Sequence, residues 1–283
     1  MVDKNSGTII LGGLGQAGEL MAHAFIRAGR EVLLADVLPR PETIAATRYL
    51  QADVTRPDDD LLRVIASADC VAMCLPERAA LAAAPAILEA MTRGALWVDT
   101  LSVKQNVSAI LRRYKEKLEL VSINPMFAPA LGFAGNSVAF VQISGGPRSK
   151  EFTQTLRSLG ATVEMVTPET HDRLTAAIQV ATHAAILTFG AALLELDYDV
   201  EKAAALATPP HRQLLSLLQR LSTANPEVYW DIQHHHPHAA SVRESLSRAL
   251  TELDAAASKD SPRDLRQLFE RLRHLFMQAN GKD

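Results

Sequence analysis

The sequence predicts an α/β protein whose last part is entirely helical. From Thr8 to Val166, short apolar runs typical of buried strands alternate with helical segments, which is the pattern of a doubly wound parallel sheet. After Thr167-Pro168 the composition changes, and no convincing strand follows. With 283 residues the chain is long enough for two domains, and we expect them at 1–168 and 169–283.

Composition narrows the function classes. A net charge of −3 provides no basic surface for nucleic acid or anionic lipid. The first residues lack the layout of a signal peptide, so we expect a cytoplasmic protein. The uncharged window 174–194 is long enough to span a bilayer, but it is rich in alanine and contains polar side chains, which favours a buried helix. Cys70 and Cys74 lack C-x-x-C spacing, which favours core residues over a redox or zinc pair.

The first strand, Thr8–Leu11, runs directly into a glycine-rich turn and then into a helix through about Arg27. The turn contains a G-x-G-x-x-G pattern, which permits a tight turn, close approach of a pyrophosphate and packing of helix on strand. We therefore predict a Rossmann-type domain. The predicted phosphate-binding residues are Gly13, Leu14, Gly15, Gln16, Ala17 and Gly18.

The second strand, Val32–Asp36, ends in an acidic residue at the distance expected of this fold. Asp36 would accept a hydrogen bond from a ribose 2′-hydroxyl and repel a 2′-phosphate, so we predict NAD rather than NADP as the cofactor.

The alternation of strands and helices continues to Val166. A strong strand over 70–75 is closed by proline, and we expect Leu75 and Pro76 to face the cofactor. Helices are predicted over 58–68, to about 93, to about 117, and over 149–159. The remaining strands are predicted at 49–52, 96–99, 120–124, 138–143 and 162–166.

The second half reads as helices at 170–197, 199–207, 211–223, 226–234, 238–257 and 262–278. The first has a nearly continuous apolar face, which cannot stay in water. We expect this face to pack in a core shared with a second subunit, forming a homodimer.

One strand end is central to the functional interpretation. The apolar run from Leu120 ends at Asn124, because the following proline stops the strand. In an open α/β sheet, ligands lie beyond the carboxyl ends of the strands. Asn124 is therefore expected to face the same ligand-binding space as the cofactor.

Together with the glycine loop, four further motifs resemble the prephenate dehydrogenase (TyrA) family, from the loop to about Ile232. The segment 99–104, DTLSVK, resembles the family's D-x-x-S-V-K, and 124–127, NPMF, resembles H-P-M-F with asparagine in place of histidine. His171-Asp172 with Gln179 and His183 is similar to the family's H-D…Q…H helix. The last motif is His211-Arg212 with Arg220, followed by the acidic-aromatic segment 227–232.

The resemblance implies an NAD-dependent oxidative decarboxylation of a cyclohexadienyl acid, in which ring C4 loses a hydride and C1 loses CO2. In this family the histidine of H-P-M-F accepts the 4-hydroxyl proton. Ser102 would hydrogen-bond the 4-substituent or position 124, and Lys104 would support the site electrostatically. The substrate-binding group implied by the resemblance is Arg220 on the carboxylate, with Arg212, His183 and Gln179.

The departure at Asn124 is informative, because an amide cannot act as a general base near neutral pH. An amine at ring C4 would push electrons into the departing C–H bond better than a neutral hydroxyl does. We therefore favour 4-amino-4-deoxyprephenate as substrate and 4-aminophenylpyruvate as product, which corresponds to the 4-amino-4-deoxyprephenate dehydrogenase branch of the family in specialised, antibiotic-type metabolism. The sequence does not reveal how the substrate ammonium loses its proton.

Two alternatives stay open. The chain could be an ordinary prephenate or arogenate dehydrogenase that uses water or another histidine as its base. It could also be a non-catalytic NAD-binding regulatory homologue, although the retained Ser102, Lys104, Arg212 and Arg220 speak against that. The histidines at 234–236 favour a solvated helix end over a metal site, and we predict no metal.

Overall fold

The computed structural model describes residues 7–41 and 48–277. Within them, one eight-stranded sheet has the order β3-β2-β1-β4-β5-β6-β7-β8, which confirms the predicted fold class. The strands are β1 Thr8–Leu11, β2 Val32–Asp36, β3 Arg48–Gln51, β4 Cys70–Met73, β5 Leu96–Asp99, β6 Glu119–Pro125, β7 Ser137–Ser144 and β8 Thr162–Met165.

All neighbouring strands pair in parallel except β6 and β7, which are antiparallel. The prediction that β6 stops at Asn124 is wrong by one residue. Pro125 still lies opposite Val138 in the antiparallel pair, and the Met126 N–H continues the pairing by donating to the carbonyl of Ser137. Asn124 is thus held inside a paired strand, close to its end.

The helices follow the predicted order, but two are shorter than predicted: the helix expected to about 117 ends at Leu111, and the one expected over 199–207 covers only Val200–Ala203. They are α1 Gln16–Arg27, α2 Asp59–Ser67, α3 Glu77–Ala90, α4 Gln105–Leu111, α5 Pro147–Ser158, α6 Pro168–Thr175, α7 Thr182–Glu195, α8 Val200–Ala203, α9 Pro209–Ser222, α10 Pro226–His235, α11 Ala239–Ala257 and α12 Arg263–Met277. The expectation about the N-terminal residues and the predicted helix end at 278 lie outside the described residues.

A difference lies between α6 and α7. The single helix predicted over 170–197 contains a π-helical turn at Ala176–Ala181. Such wide turns cannot be read from apolar periodicity, and they frequently lie at functional sites. Gln179, one of the predicted substrate-binding residues, lies in this turn.

Apolar layers cover both faces of the sheet. One contains Trp97 and Ile87, and the other is built around Phe25, Phe140 and Phe152, with the rings of Phe25 and Phe152 stacked at 5.4 Å. The central strands β4 and β5 are buried along their whole length, as expected for strands covered on both faces. This core fixes the strand ends that carry the candidate site.

The described residues form two compact units. The first, called the NAD-binding unit after the domain predicted from the sequence, comprises the described residues up to Thr175 together with Asn225–His236, which contains α10. The helical unit comprises Ala176–Ala224 and the described residues from Pro237 onward. The predicted domain boundary at 168/169 stays a prediction.

The helical unit leaves large apolar side chains in solvent. Leu194 is 81% exposed and Leu206 is 85% exposed. The continuous segment Pro168–Glu195 has the length and mean hydropathy, 1.6, of a membrane span, and only 11% of its most apolar window is buried. Length and hydropathy do not distinguish such a span from a helix that packs against another protein chain. The expected burial of this helix is not completed within the protomer.

Candidate active site

The glycine turn after β1 is built so tightly that side chains are excluded. Gly12 has φ of +80°, and a Cβ at this residue would lie 2.7 Å from the carbonyl oxygen of Cys74. A Cβ on Gly18 would collide with the carbonyl oxygen of Gly12, so only glycine lets α1 start this close to β1. Gly12 precedes the predicted G-x-G-x-x-G and is not among the residues predicted to bind phosphate.

The start of α1 is suited to bind phosphates. Gly15 is the N-cap residue and supplies no side-chain acceptor to the N–H groups of the first turn. Those groups and the positive end of the helix dipole are what a pyrophosphate requires. Leu75, predicted to face the cofactor, lies against the same turn, because its Cδ2 would be 2.9 Å from a Cβ on Gly12. Pro76 is exposed and precedes α3.

Asp36 stands at the end of β2, beside the glycine turn. Its carboxylate accepts hydrogen bonds from the N–H of Leu14 at 3.0 Å and from the N–H of Leu38 at 3.2 Å. The hydroxyl of Tyr49 donates to the carbonyl of Leu38 and steadies this corner. The loop, the helix start and this acid together fit NAD, with Asp36 placed for a ribose hydroxyl.

The DTLSVK segment places a buried ion pair beneath the end of β6. Lys104 is fully buried, and its Nζ donates to Ser122 Oγ at 2.8 Å and to the carbonyl of Ile123 at 2.7 Å, and lies 3.4 Å from Asp99 Oδ1. Burial lowers the pKa of Lys104, although the Asp99 carboxylate acts in the opposite direction. Lys104 thus fixes the position of Ile123, the residue before Asn124, through a hydrogen bond to its carbonyl.

Asn124 is buried and contacts a histidine that lies 47 positions away along the chain. Its amide Nδ2 lies 3.1 Å from His171 Nε2, and His171 Nδ1 lies 2.7 Å from Asp172 Oδ1. Because an amide nitrogen can only donate, His171 Nε2 is the acceptor and the ring proton belongs to Nδ1. In this row the Asn124 amide donates to the His171 ring, and the His171 ring donates to the Asp172 carboxylate.

The charges of this row follow from its surroundings. Burial lowers the pKa of His171, which keeps the imidazole neutral at physiological pH. Burial acts against the ionised form of Asp172, but hydrogen bonds from His171 and from the N–H groups of Lys104 and Gln105 keep its pKa below its ordinary value. Asp172 thereby joins the middle of α6 to the start of α4.

Ser102 lies in the turn between β5 and α4 and is partly buried. It makes no side-chain hydrogen bond to another residue in the described ranges, which leaves its hydroxyl available to a ligand. Its predicted bond to the 4-substituent or to position 124 stays a prediction.

The second predicted group lies in the helical unit. Arg220 and Arg212 are exposed on α9, and the Arg212 guanidinium donates to the carbonyl of Ala207. His183 is half-buried at the start of α7, and burial lowers the pKa of its imidazole. The neighbouring His211 bonds the hydroxyl of Tyr198 at 2.7 Å. The substrate-binding roles of this group stay predictions.

Nothing in the described ranges forms a metal site, since no group of three His, Cys, Asp or Glu side chains there could hold an ion. His234 instead stacks on Trp230, and the buried His236 bonds Thr175 at 3.2 Å.

These features define a nucleotide-dependent dehydrogenase, and sequence comparison gives the family. The nucleotide-binding domain of prephenate dehydrogenase matches residues 21–142, and the prephenate dehydrogenase dimerization domain matches residues 167–273. The chain belongs to the prephenate dehydrogenase family. The predicted enzyme class, an NAD-dependent dehydrogenase, is confirmed.

Two curated relatives differ in how much they share with the chain. The 4-amino-4-deoxyprephenate dehydrogenase of Streptomyces pristinaespiralis is 38% identical over 265 residues, which cover 94% of this chain and 89% of that protein. A probable arogenate/prephenate dehydrogenase of Methanocaldococcus jannaschii is 27% identical over 192 residues, which cover 66% of this chain and 43% of that protein.

Solved structures share the fold. Prephenate dehydrogenase from A. aeolicus, in complex with hydroxyphenyl propionate and NAD+, superposes with a TM-score of 0.70 at 16% identity, covering 99% of this chain and all of that one. Synechocystis arogenate dehydrogenase superposes with a TM-score of 0.64 at 18% identity, covering 97% of this chain and 98% of that one. At these identities the likeness is one of fold.

Proposed function

We propose that this protein oxidises and decarboxylates 4-amino-4-deoxyprephenate to 4-aminophenylpyruvate with NAD+, in specialised metabolism. The observation that carries the proposal is Asn124, an amide hydrogen-bonded to His171 at the place where the family's motif has a basic histidine. The name of the 38% identical Streptomyces relative supports the same substrate.

The geometry gives Asn124 a defined polarity. Since its Nδ2 donates to His171, the oxygen is the end of the amide that can accept a hydrogen bond. A neutral ring amine can donate an N–H to that oxygen while its lone pair drives the C4–H bond to break. NAD+, when bound, supplies the acceptor for the hydride. No proton has to leave the amine during that step, so position 124 needs an acceptor and not a base.

A hydroxyl at ring C4 makes a different demand, because its proton must leave as the hydride departs. The other base within reach would be His171, but its Nε2 already accepts a hydrogen bond from Asn124. Burial also lowers its pKa, which weakens it as a base. This arrangement favours the amine over the hydroxyl substrate.

The remaining assignments are extensions of the same proposal. Arg220, assisted by Arg212, His183 and Gln179, would bind a substrate carboxylate. The match to a dimerization domain and the exposed leucines of the helical unit support a homodimer formed through that unit. We also propose that the enzyme acts in the cytoplasm. Its substrate class is a small carboxylic acid.

The test is NADH formation by the purified protein with NAD+, offered 4-amino-4-deoxyprephenate, prephenate and arogenate in parallel. We expect turnover of 4-amino-4-deoxyprephenate to exceed that of the other two by roughly the 10²–10⁴-fold that a positioned base is worth. Efficient turnover of prephenate or arogenate would overturn the substrate assignment. No turnover of any of the three would favour the regulatory homologue.

A further inference from the structure

Glu77 is a buried carboxyl group that the chemistry described so far does not use. It begins α3 directly after Pro76, at the same edge of the sheet as the glycine turn and Asn124. Its side chain is 2% exposed, and Oε1 accepts a hydrogen bond from Asn106 Nδ2 at 3.1 Å. Its Oε2 is buried and has no hydrogen-bond partner among the described residues.

A buried carboxyl oxygen without a partner is unfavourable, so a native structure that keeps one invites an explanation. The backbone N–H of Glu77 donates to Asp231 Oδ2 at 3.2 Å, so α10 fixes the start of α3 without satisfying the Glu77 carboxyl. A donor that arrives with a ligand would complete the hydrogen bonding of Oε2.

Topology places Glu77 near the reacting end of the site. Strands β4 and β6 flank β5, so the strand end that precedes Glu77 lies about 10 Å from the end of β6 that carries Asn124, at a spacing of about 4.8 Å per strand. The start of α4 lies between them: Asn106 binds Glu77, and the N–H groups of Lys104 and Gln105 bind Asp172, the partner of His171. One helix start thus connects Glu77 with the row that holds Asn124.

The surroundings give this carboxyl the acidity of a base that operates near neutral pH. Burial raises the pKa of Glu77 to about 7, and the carboxylates of Asp231 and Asp172 act in the same direction. The hydrogen bond from Asn106 and the ammonium of Lys104 act in the opposite direction. A group with this pKa accepts a proton readily and releases it again to water.

We propose that Glu77 is the catalytic residue that accepts the proton lost by the ring ammonium of the substrate before oxidation. The proposal rests on the amino substrate proposed above, which carries this proton in solution at neutral pH. It gives the unpartnered Oε2 its donor, the ammonium N–H. It also makes Glu77 a determinant of specificity, since a hydroxyl substrate brings no cation to this carboxylate.

The step balances in atoms and electrons. An N–H bond of the ammonium breaks and an O–H bond forms on Glu77, which leaves a neutral amine. The C4–H bond then breaks and its hydrogen departs as a hydride, which NAD+ would accept when bound, while the nitrogen lone pair forms an iminium. CO2 leaves from C1, and the electron pair it leaves behind completes the aromatic ring and neutralises the iminium. The proton on Glu77 returns to water.

The experiment compares Glu77→Gln with the wild type across pH 6–9, using 4-amino-4-deoxyprephenate and NAD+. Glutamine has the same shape and its Oε1 can still accept the bond from Asn106, but its amide cannot take a proton. We expect kcat/KM at pH 7 to fall by roughly 10²–10⁴. The deficit should then shrink about tenfold for each pH unit above 7, because water increasingly supplies the free amine. Glu89→Gln, on the exposed end of the same helix, is the matched control.

Binding of the substrate without NAD+ gives a readout that does not depend on turnover. Calorimetry in buffers of different ionisation enthalpy should detect proton release by the wild type at pH 6 that vanishes by pH 8, where Glu77 is already ionised. Glu77→Gln should lose this difference between the two pH values.

A deficit in Glu77→Gln that stays constant with pH would indicate a structural role and overturn the proposal. Unchanged proton release would do the same. If the proposed amino substrate were wrong, the wild type itself would prefer a hydroxyl substrate, and this result is distinguishable from failure of the role proposed for Glu77.

Discussion

The two units of this protein treat their charged groups in opposite ways. In the NAD-binding unit the ammonium of Lys104 is fully buried and surrounded by bonded partners, and the Asp172 carboxylate accepts from three donors. In the helical unit the predicted carboxylate-binding residue, Arg220, is exposed, as are Leu194 and Leu206. The NAD-binding unit thus pairs these buried charges within its own chain, whereas the helical unit exposes its predicted binding charge and large apolar side chains to solvent.

This difference teaches where each part of the chemistry is fixed. The row Asn124, His171 and Asp172 is buried and bonded within one chain, so the hydrogen bonds of a single subunit already define its donors and acceptors. The helical unit exposes Arg220 and large apolar side chains, and a surface of this kind is typical of a region that binds a ligand or a second subunit. Removing the buried charge that supports this row should therefore lower stability, whereas substitutions on the exposed surface of the helical unit should weaken binding.

The largest expected effect is on the stability of the NAD-binding unit. Lys104→Met leaves Asp99 buried without its cation, which should lower the free energy of unfolding by about 3–5 kcal/mol. Urea denaturation measures it, with the exposed Lys115→Met as control. A loss no larger than in the control would show that the buried pair is not the support we infer.

A smaller effect is expected at Arg220. Removing a charged hydrogen-bonding partner of a carboxylate costs about 1.5–3 kcal/mol, so Arg220→Ala should raise KM for the ring substrate roughly 10–100-fold. NAD+ affinity should stay unchanged, because the glycine turn lies in the other unit. Steady-state kinetics provide the measurement, and Arg266→Ala, exposed on α12, is the control. An unchanged KM would remove Arg220 from the substrate site.

The smallest expected effect concerns assembly. Leu194→Asp places a charge on the exposed apolar surface of α7 and should weaken the proposed homodimer on the order of tenfold, by the apolar burial it removes. Sedimentation over a range of concentrations measures this, with Gln219→Asp as the same charge on a polar position. Equal behaviour of the two variants would place the interface elsewhere.

The parts of the fold that could be predicted from the sequence are those encoded locally. The glycine turn directly follows β1 and Asp36 ends β2, so both can be placed from neighbouring residues. The helices after Pro168 keep a regular apolar spacing. The π-helical turn at Ala176–Ala181 leaves no such mark, because alanine-rich sequence is compatible with either turn width.

The parts that could not be predicted depend on contacts between distant segments. The H-D motif was recognised, but the bond from Asn124 to His171 depends on where α6 starts relative to the end of β6. Glu77 reads as an ordinary first-turn acid, favourable at a helix start. Its burial depends on Asn106 and on α10, whose Asp231 lies 154 positions further along the chain in the same unit.

The central claim is that the amide at position 124 selects an amine over a hydroxyl at ring C4. The most direct measurement is the ratio of kcat/KM for 4-amino-4-deoxyprephenate and prephenate in the wild type and in Asn124→His. We predict a ratio far above one in the wild type, and a gain of prephenate turnover in the variant, because the imidazole restores a base. A variant that gains no prephenate turnover, or a wild type that already prefers prephenate, would contradict the account.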